Sequence, residues 1–519
     1  MKIWQISREY ASLAEAGGVK NVVCSLCEGL HKMGHDVTLF IPLYGCSDLS
    51  LVHNYQILKD SEITISVGNK EFLVCFATGF INNIKILFVV SSCFTEKLGV
   101  YTYTLEEEIQ NPNFIRGQGH IDAVENEIMF QKSIVEYAKK YNDFPNIVHC
   151  HDATTALIPV LAKNFEKSFS TVNFIVTIHN AGPAYHHEIS DINKAIFLTG
   201  LTKQVLSKGL VGKVVEPYLL ASYFAKLSTV SPWYAEEITD PKNENTQGLS
   251  KAFFKKNVKI FGICNGIDFE KYNPALGKKN LLPYSYYPEK MDLEGKYRAR
   301  KDFVQFFSIE HKDLLEIKNK GDDCLVQYGF LEETNTETVL FSYHGRLVHQ
   351  KGLNVLENAI PLCIEKNDNL RFVIIGQGDV ILEKKQIELA KKYPGKVLYL
   401  RGYHKALARL SVAISDYIVL PSFFEPCGLE DFISSIVGTI PVAHKTGGLQ
   451  KIINNKTGFL YSQNTEDVLS TKLLELVDFK NNHNLEFLKM IKAASEKVHY
   501  TYDWSKVIKE HYIPLYNNE

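Results

Sequence analysis

The chain has 519 residues, of which 45% are hydrophobic and 22% are charged, and its formal net charge is -2. That length allows two domains with full cores, and the ordinary composition excludes a disordered or fibrous protein. The near-zero charge and the lack of a long Lys/Arg run give no electrostatic reason to expect nucleic acid or an anionic membrane as a partner.

The start of the chain and its cysteines predict a cytoplasmic location. Residues 2–7 already have the pattern of a buried β-strand, so we expect no signal sequence before them. No apolar run approaches the roughly 20 residues of a transmembrane helix. The ten cysteines are spread over predicted strands and helices, which is typical of reduced thiols. Cys24 and Cys27 form a C-x-x-C, but that spacing within one helix more often reflects packing than a metal or redox site.

A glycine pair follows the first predicted strand. Gly17 and Gly18 come where the strand gives way to an amphipathic helix over residues 19–30. A turn of this kind suits a bound anion, because helix N-terminal amides point at the ligand. Glu15 nevertheless places an acid beside it.

Short apolar runs alternate with amphipathic helical segments along most of the chain. In the first half the runs are DVTLFIP, IKILFVV, NIVHC, NFIVTIH, KLSTV and KIFGIC, and in the second ETVLFSY, LRFVIIG, KVLYLRG, DYIVLPS and TIPVAH. This alternation predicts an α/β protein with two doubly wound, Rossmann-like parallel sheets. Asn265-Gly266 and Pro274 are turn formers, so we place the boundary there, with domains over 1–264 and 265–499.

Polar side chains follow two strands of the first domain. His149, His151 and Asp152 end one strand, and His179 ends the next. Since ligands of open α/β sheets lie beyond the carboxyl ends of the strands, we expect these tips side by side, facing the second domain across a catalytic cleft. A metal cluster of these histidines with the pair at 186–187 remains a less favoured alternative.

In the second domain, Arg346 and Lys351 follow a strand within SYHGRLVHQKGL. Two cations beside helix N-terminal amides form a diphosphate site, with arginine able to bind oxygens bidentately. The alternative is a solvated surface pair, and the segment alone does not decide between them.

Two further turns in the second domain follow adjacent strands. Glu425 precedes Cys427, Gly428 and Leu429, so its carboxylate can accept ligand hydroxyls while the following amides meet an anion. The turn of Thr446, Gly447 and Gly448 repeats the design after the next strand. A simple helix cap is the alternative, and the repetition argues against it.

Tyr403 and His404 end another strand, where an aromatic ring at the rim of a nucleotide site would stack on a base. Packing alone is an equally good explanation of such a tyrosine. The sequence GQGD at residues 376–379 is similar to a dinucleotide fingerprint, but Ile381 stands at the third glycine position, so NAD is not expected.

Taken together, these motifs resemble the bacterial glycogen synthase and plant starch synthase family, the family-five retaining glycosyltransferases of GT-B fold. The resemblance rests on HCHDATTALIP, TIHN, STVSPWYAEEI, GICNGIDFEKYNP, GRLVHQKGL, GQGD, GYH, FEPCGL and GTIPVAHKTGGL, in family order. It implies transfer of glucose from ADP-glucose to the non-reducing end of an α-1,4-glucan such as glycogen, with retention and without metal or organic cofactor. It also implies that residues 500–519 cross back to the first domain. Neither the sequence nor the resemblance predicts the oligomeric state.

The resemblance also implies roles for individual residues. Arg346 and Lys351 would neutralise the leaving diphosphate, Glu425 would stabilise charge at the anomeric carbon, and Tyr403 would stack on the adenine. Asp152 and His179 would hold the glucosyl group. The remaining donor contacts would come from Gly17, Gly18, Asn265, Cys427, Gly428, Leu429, Thr446, Gly447 and Gly448.

The opening loop departs from the family pattern of Lys-x-Gly-Gly-Leu followed by Asp. Glu15 stands in place of the lysine and Asn21 in place of the aspartate, with Lys20 nearby. Either Glu15 pairs with a cation such as Lys20, or it faces the glucan and accepts sugar hydroxyls, which is the explanation we expect.

Three interpretations follow. The first is an ADP-glucose-dependent synthase, the second a related transferase with another donor, such as UDP-glucose, or another acceptor. The third is a non-catalytic glucan-binding or regulatory protein. The presence of Glu425, Arg346, Lys351, His179 and Asp152 together argues against the third, because such a protein has no physical need of transition-state groups.

Overall fold

A computed structural model describes residues 1–309 and 325–517 of the chain. The chain divides into two compact units, one formed by Met1–Gly266 with Trp504–Glu519 and the other by Ile267–Asp503. The first unit is therefore built from two separate stretches of sequence. No helix of the described residues is long and apolar enough to span a bilayer.

The first unit has twelve strands and ten helices before the chain enters the second unit. Its strands are β1 (Lys2–Ile6), β2 (Asp36–Pro42), β3 (His53–Ile57), β4 (Ile63–Val67), β5 (Lys70–Ile81), β6 (Ile84–Val90), β7 (Ile147–His151), β8 (Asn173–Ile178), β9 (Leu210–Val211), β10 (Val214–Val215), β11 (Lys226–Thr229) and β12 (Ile260–Gly262). Its helices are α1 (Val19–Lys32), α2 (Ser92–Thr95), α3 (Leu105–Gln110), α4 (Ala123–Tyr141), α5 (Ile158–Phe165), α6 (Ile192–Thr199), α7 (Lys203–Leu206), α8 (Pro217–Ala221), α9 (Pro232–Thr239) and α10 (Leu249–Lys255).

The strands of the first unit form one large sheet beside the small β9–β10 ribbon. The order is β12-β11-β8-β7-β1-β2-β6-β5-β3, with β4 paired to β5. Neighbours from β12 to β6 are parallel, whereas β5 runs antiparallel to β6 and to both β3 and β4. The strands β6, β7 and β8 are almost wholly buried, because helices cover both faces of such a sheet.

The second unit contains one sheet and seven helices in its described part. Its strands are β13 (Val326–Tyr328), β14 (Val339–His344), β15 (Leu370–Gly376), β16 (Val397–Arg401), β17 (Tyr417–Leu420), β18 (Ile440–His444) and β19 (Phe459–Tyr461). Its helices are α11 (Glu294–Phe306), α12 (Leu353–Ile364), α13 (Val380–Lys392), α14 (Lys405–Ile414), α15 (Glu430–Ile436), α16 (Glu466–Asn482) and α17 (Asn484–Thr501).

The sheet of the second unit is parallel except at one edge. Its order is β13-β16-β15-β14-β17-β18-β19, and only β13 runs antiparallel to its neighbour. Each unit is therefore a doubly wound α/β unit of Rossmann type, as the sequence predicts.

The C-terminal stretch completes the first unit. It consists of α18 (Trp504–Val507), a π-helical turn (Ile508–Tyr512) and α19 (Ile513–Asn517). A Cβ on Gly266 would overlap the Trp504 ring, and one on Gly29 would overlap Ile508. These contacts need glycine because the segment packs directly onto backbone of the unit.

Candidate active site

The order of strands reverses once in each parallel sheet. In the first unit the reversal lies between β1 and β7, and in the second between β14 and β17. Ligands of open α/β sheets bind beyond the carboxyl ends of the strands at such a switch point. The residues that follow these four strands therefore define where each unit can hold a ligand.

In the second unit the two loops at the switch point meet through an ion pair. Lys351 follows β14 in a short 3-10 turn, and Glu425 follows β17. Lys351 Nζ lies 2.5 Å from Glu425 Oε2, which also accepts a hydrogen bond from Ser422 Oγ at 3.0 Å. Gly352 has φ 65°, and a Cβ there would overlap the carbonyl oxygen of Pro421, so only glycine allows the loops this close.

The turn after β18 packs against the turn that carries Glu425. Gly448 N donates a hydrogen bond to Glu425 O at 2.8 Å, and a Cβ on Gly448 would overlap the backbone of Cys427. The structure therefore brings together the two turns that the sequence singled out, including Gly428, Leu429, Thr446 and Gly447.

Arg346 and Tyr403 lie at the same carboxyl edge, after β14 and β16. Arg346 is exposed, and its guanidinium has no ion pair or hydrogen bond within residues 1–309 and 325–517. Tyr403 is half exposed, at 47% of its surface. An arginine and an aromatic ring are thus open to solvent at the edge where the Lys351–Glu425 pair stands.

Two ion pairs in this region were missed by sequence reasoning. His344 Nδ1 lies 3.1 Å from Glu430 Oε2, and Lys451 Nζ lies 3.0 Å from Asp431 Oδ2. His344, Glu430 and Asp431 line a small cleft of about 30 Å³ together with Lys351 and Glu425. Two consecutive acids after the FEPCGL motif were the available signal.

The pKa values of His344 and Asp431 are both raised, for different reasons. Burial alone would lower the pKa of His344, but the charge of Glu430 and its hydrogen bond outweigh burial and raise it. Burial raises the pKa of Asp431 to about 6 despite the opposing charge of Lys451. His344 therefore adds positive charge to the cleft over a wider pH range than an isolated histidine does.

A larger cavity in the second unit is lined mainly by residues of α11 and α16. It reaches Ser308, next to the segment 310–324 that lies outside the described residues, and it contains none of the strand-end groups. No site is assigned to it.

In the first unit Asp152 and His179 are joined through the backbone. Asp152 Oδ1 accepts hydrogen bonds from His179 N at 2.8 Å and from Tyr218 OH at 3.2 Å. Asp152 has φ 64° and ψ 174°, a backbone conformation that is populated almost only by glycine. Strained backbone of this kind concentrates at functional sites, which favours a functional interpretation of the turn.

The histidines of the first unit do not form a metal cluster. His149 and His151 make hydrogen bonds inside the sheet, whereas His186 Nε2 lies 2.8 Å from Ala181 O, and His187 Nδ1 lies 2.9 Å from Glu127. No group of three or more His, Cys, Asp or Glu side chains within the described part of the chain could hold a metal ion. The metal alternative for these four histidines is therefore wrong there, because their ring nitrogens serve different partners.

The opening loop uses an acid that the sequence analysis did not single out. Glu9 Oε2 accepts hydrogen bonds from Gly17 N at 2.5 Å and from Ala16 N at 3.2 Å. Burial raises the pKa of Glu9, whose residue is only 2% exposed. The Glu9 carboxylate therefore accepts the hydrogen bonds of the backbone amides at which the sequence predicted an external anion.

Glu15, unlike Glu9, does not contact the Gly17 amide but has a different partner. Its carboxylate forms an ion pair with Lys20 and accepts a hydrogen bond from Ser12 N at 2.6 Å. This geometry favours the cation-pairing explanation over the expected contact with the glucan. Asn21 is exposed on α1, and a Cβ on Gly18 would meet no atom within 4 Å.

Asn265, next to the end of the first stretch of the first unit, has a buried side-chain oxygen without a hydrogen-bond partner among the described residues. The residue is 5% exposed, and the atom without a partner is Oδ1. A buried amide oxygen without a partner is destabilising, so its retention favours a role in holding a ligand.

Two Rossmann-type units with charged groups at their switch points define a glycosyltransferase of GT-B fold. Residues 2–253 match the family model of the starch synthase catalytic domain, and residues 330–497 match that of glycosyl transferases group 1. A glycogen synthase of Thermodesulfovibrio yellowstonii is 30% identical over 99% of this chain and 97% of its own. One of Flavobacterium johnsoniae is 28% identical over 100% and 99%.

The comparison of structures agrees. The catalytic domain of starch synthase IV from Arabidopsis thaliana, solved with ADP and acarbose, has a TM-score of 0.78 and 25% identity. The match covers 100% of this chain and 99% of that one. The chain belongs to the glycogen synthase family.

Proposed function

We propose that the chain transfers glucose from ADP-glucose to the non-reducing end of an α-1,4-glucan, with retention of configuration. The observation that carries this proposal is the Lys351–Glu425 pair, with 2.5 Å between Nζ and Oε2, at the switch point of the second unit. The resemblance of the chain to a starch synthase solved with ADP and acarbose supports the choice of donor and acceptor.

The chemistry needs one anion and at least one cation. A glycosyl transition state is oxocarbenium-like, so a carboxylate near the anomeric carbon and cations at the leaving diphosphate both lower the barrier. Glu425 supplies the carboxylate. Lys351 lies against Glu425 and can turn its charge toward a phosphate, while the exposed Arg346 offers bidentate hydrogen bonds.

Other residues of the second unit complete the donor site in this proposal. Tyr403 stacks on the adenine, since its ring is open to solvent beside β16. The packed turns around Glu425 contribute the backbone of Cys427, Gly428, Leu429, Thr446, Gly447 and Gly448.

For the first unit we assign Asp152 and His179 to the glucosyl group. Asp152 fixes the backbone of His179 by a 2.8 Å hydrogen bond, so both present a rigid edge. Asn265 brings a buried oxygen that has no partner in the described part of the chain. A Cβ on Gly18 would meet no atom within 4 Å, so the backbone there is open to a ligand, whereas Gly17 lies against the Glu9 carboxylate.

The reaction as proposed needs no metal, because Lys351 and Arg346 supply positive charge without one. The proposed location is the cytoplasm, in keeping with cysteines that form no disulfide within the described residues.

The test is incubation of the purified chain with glycogen and radiolabelled ADP-glucose or UDP-glucose in the presence of EDTA. We expect label in glycogen from ADP-glucose, released by an enzyme that cleaves only α-1,4 bonds. Incorporation from UDP-glucose alone would replace the donor, and strict dependence on added metal would overturn the mechanism. Incorporation from neither donor would leave the glucan-binding or regulatory interpretation.

A further inference from the structure

A continuous chain of buried polar side chains crosses the core of the first sheet. Parallel register places Gln5 beside His149, His151 beside Thr177, and Thr177 beside Ser228. All are at most 2% exposed. Burying a polar group destabilises the fold unless the group is hydrogen-bonded, so each of these side chains needs a hydrogen-bond partner.

The chain of hydrogen bonds begins at the candidate site. His179 Nε2 lies 3.0 Å from His151 Nδ1, and His151 Nε2 lies 2.8 Å from Gln5 Oε1. Gln5 Nε2 then donates to the hydroxyl of Tyr516, at 3.2 Å. Tyr516 belongs to α19, so the C-terminal stretch takes part in a network that ends at His179.

The network continues beyond Tyr516 to a second histidine. The Tyr516 hydroxyl lies 2.8 Å from His149 Nδ1, and His149 Nε2 lies 2.6 Å from Thr177 Oγ1. Thr177 Oγ1 in turn lies 2.7 Å from Ser228 Oγ. Each side chain between the two ends of this network, His179 and Ser228, therefore has two hydrogen-bond partners.

The orientation of the Gln5 amide sets the direction of every bond. Because Gln5 Oε1 can only accept, His151 must carry its proton on Nε2. His151 Nδ1 is then an acceptor, so the proton between the two imidazoles belongs to His179 Nε2. On the other side, the Tyr516 hydroxyl accepts a hydrogen bond from Gln5 Nε2 and donates one to His149 Nδ1.

The histidines of the network are neutral. Burial lowers the pKa of His149 to about 3, and it also lowers the pKa values of His151 and His179. A neutral imidazole has one donor and one acceptor, which is what a one-directional chain requires. A protonated His151 would place its Nδ1–H against the Nε2–H of His179, so that two donors would face each other.

The remaining nitrogen of His179 is open. His179 Nδ1 has no hydrogen-bond partner within the described residues, and it is not among the unpartnered atoms that are closed off from solvent. We infer that Gln5, His151 and Tyr516 are positioning residues that hold His179 as the Nε2–H tautomer, so that Nδ1 presents a lone pair to a sugar hydroxyl. This inference deepens the proposed function and rests on it for the identity of the sugar.

The tautomer determines what His179 can bind. With Nδ1 unprotonated, the ring accepts a hydrogen bond from a hydroxyl and has no donor for a phosphate or a carboxylate. The opposite tautomer would donate from Nδ1 and would favour an anion there. The network therefore favours a neutral, hydroxyl-bearing group at this point.

The first experiment reads the tautomer directly. Two-bond ¹⁵N–¹H correlation spectra of the full chain, labelled at histidine nitrogens, are recorded at pH 7.5, and His179→Gln assigns the signals. We expect Nε2 of His179 to have the shift of a protonated nitrogen and Nδ1 that of an unprotonated one. The reverse pattern, or a charged ring, would overturn the inference. Because no substrate is used, this result is independent of the proposed function.

The second experiment breaks the network away from the site. Tyr516→Phe removes the hydroxyl between Gln5 and His149, so the Gln5 amide can turn over and both tautomers of His179 become populated. We expect averaged ¹⁵N shifts and a fall in kcat of about threefold to tenfold, the range of one misplaced hydrogen bond.

Tyr286→Phe is the matched control, since the Tyr286 hydroxyl donates to Val437 O at 3.0 Å in the core of the second unit. It should lose similar stability and leave both the His179 shifts and kcat unchanged. Unchanged His179 shifts in Tyr516→Phe would show that the C-terminal tyrosine does not set the tautomer. An inactive wild type with the expected shifts would reject the proposed function alone.

Discussion

Lys351 and Glu425 reach each other from neighbouring parallel strands, with Nζ 2.5 Å from Oε2, although 74 residues separate them in sequence. Without substrate, the ion pair destabilises the protein little, because each charge neutralises the other. When a diphosphate arrives, Lys351 can be shared between two anions, and the carboxylate becomes free to act on the sugar. The ion pair thus holds the cation and the carboxylate that the transfer reaction needs next to each other.

Glu425→Gln is expected to lower kcat about 100-fold or more while changing the donor KM little. The amide keeps the shape and the hydrogen bond from Ser422 but loses the charge that stabilises the oxocarbenium-like transition state. Steady-state kinetics with ADP-glucose varied would measure this, and thermal unfolding would check that the fold is intact. A raised KM with kcat kept would make Glu425 an ordinary binding residue.

Arg346→Lys tests whether bidentate contact matters. Lysine keeps the charge but offers no planar fork, so we expect kcat to fall about tenfold with the leaving diphosphate less well held. Arg298→Lys, at an exposed position on α11, is the control and should behave as wild type. Equal kinetics for Arg346→Lys and wild type would mean that Arg346 acts as a point charge only.

Glu15→Gln should lower the donor KM about threefold. The change removes the ion pair with Lys20 and leaves a free cation beside the opening loop, where the donor carries negative charge. The gain should shrink at high salt. Glu28→Gln removes one charge from α1, the helix that carries Lys20, and serves as control. If the acceptor KM rises instead while the donor KM stays constant, Glu15 contacts the glucan.

Glu216→Gln should stabilise the first unit at alkaline pH. Burial raises the pKa of Glu216 to about 8, and its Oε2 caps α8 through Leu219 N at 2.6 Å. Because the folded pKa lies above the unfolded one, the contribution of Glu216 to stability is present below about pH 4.5 and is lost as pH rises to about 8. The slope is at most about 1.4 kcal/mol per pH unit.

Urea unfolding at pH 5 and at pH 8 measures the effect of Glu216→Gln. We expect similar stability at pH 5 and a more stable variant at pH 8. Glu166→Gln is the matched control, because Glu166 is also an N-cap but is only partly buried. A parallel pH dependence for wild type and Glu216→Gln would show that the carboxyl is ionised in the folded state without penalty.

Much of the fold and of the strand-end positions could be predicted, because buried parallel strands read as apolar runs and ligands lie at their carboxyl ends. The prediction of two Rossmann-like units is confirmed. Details that depend on the path of a loop could not be predicted. Glu9 and Glu15 are both near the glycine turn, and only the folded loop decides that Glu9 reaches its amides while Glu15 pairs with Lys20.

The buried network was equally out of reach of the sequence. Gln5, His149 and Thr177 are isolated polar residues within apolar strands, and their common function appears only when parallel register aligns the strands. Tyr516 is 367 residues from His149, and no pattern within either segment links them. Contacts of this kind depend on tertiary packing rather than on local preference.

The discontinuity of the first unit affects the order in which the protein can form. Residues 1–266 leave the ribosome first, but Trp504, Ile508 and Tyr516 must fill their places before that unit is complete. The second unit is synthesised in between and is continuous in sequence. During synthesis the second unit can therefore finish folding first. Until the last helices are made, the first unit remains incomplete, and Gly29, Gly266 and the Gln5 amide lack their contacts with those helices. A chain that stops before residue 504 lacks these helices, so its first unit stays incomplete.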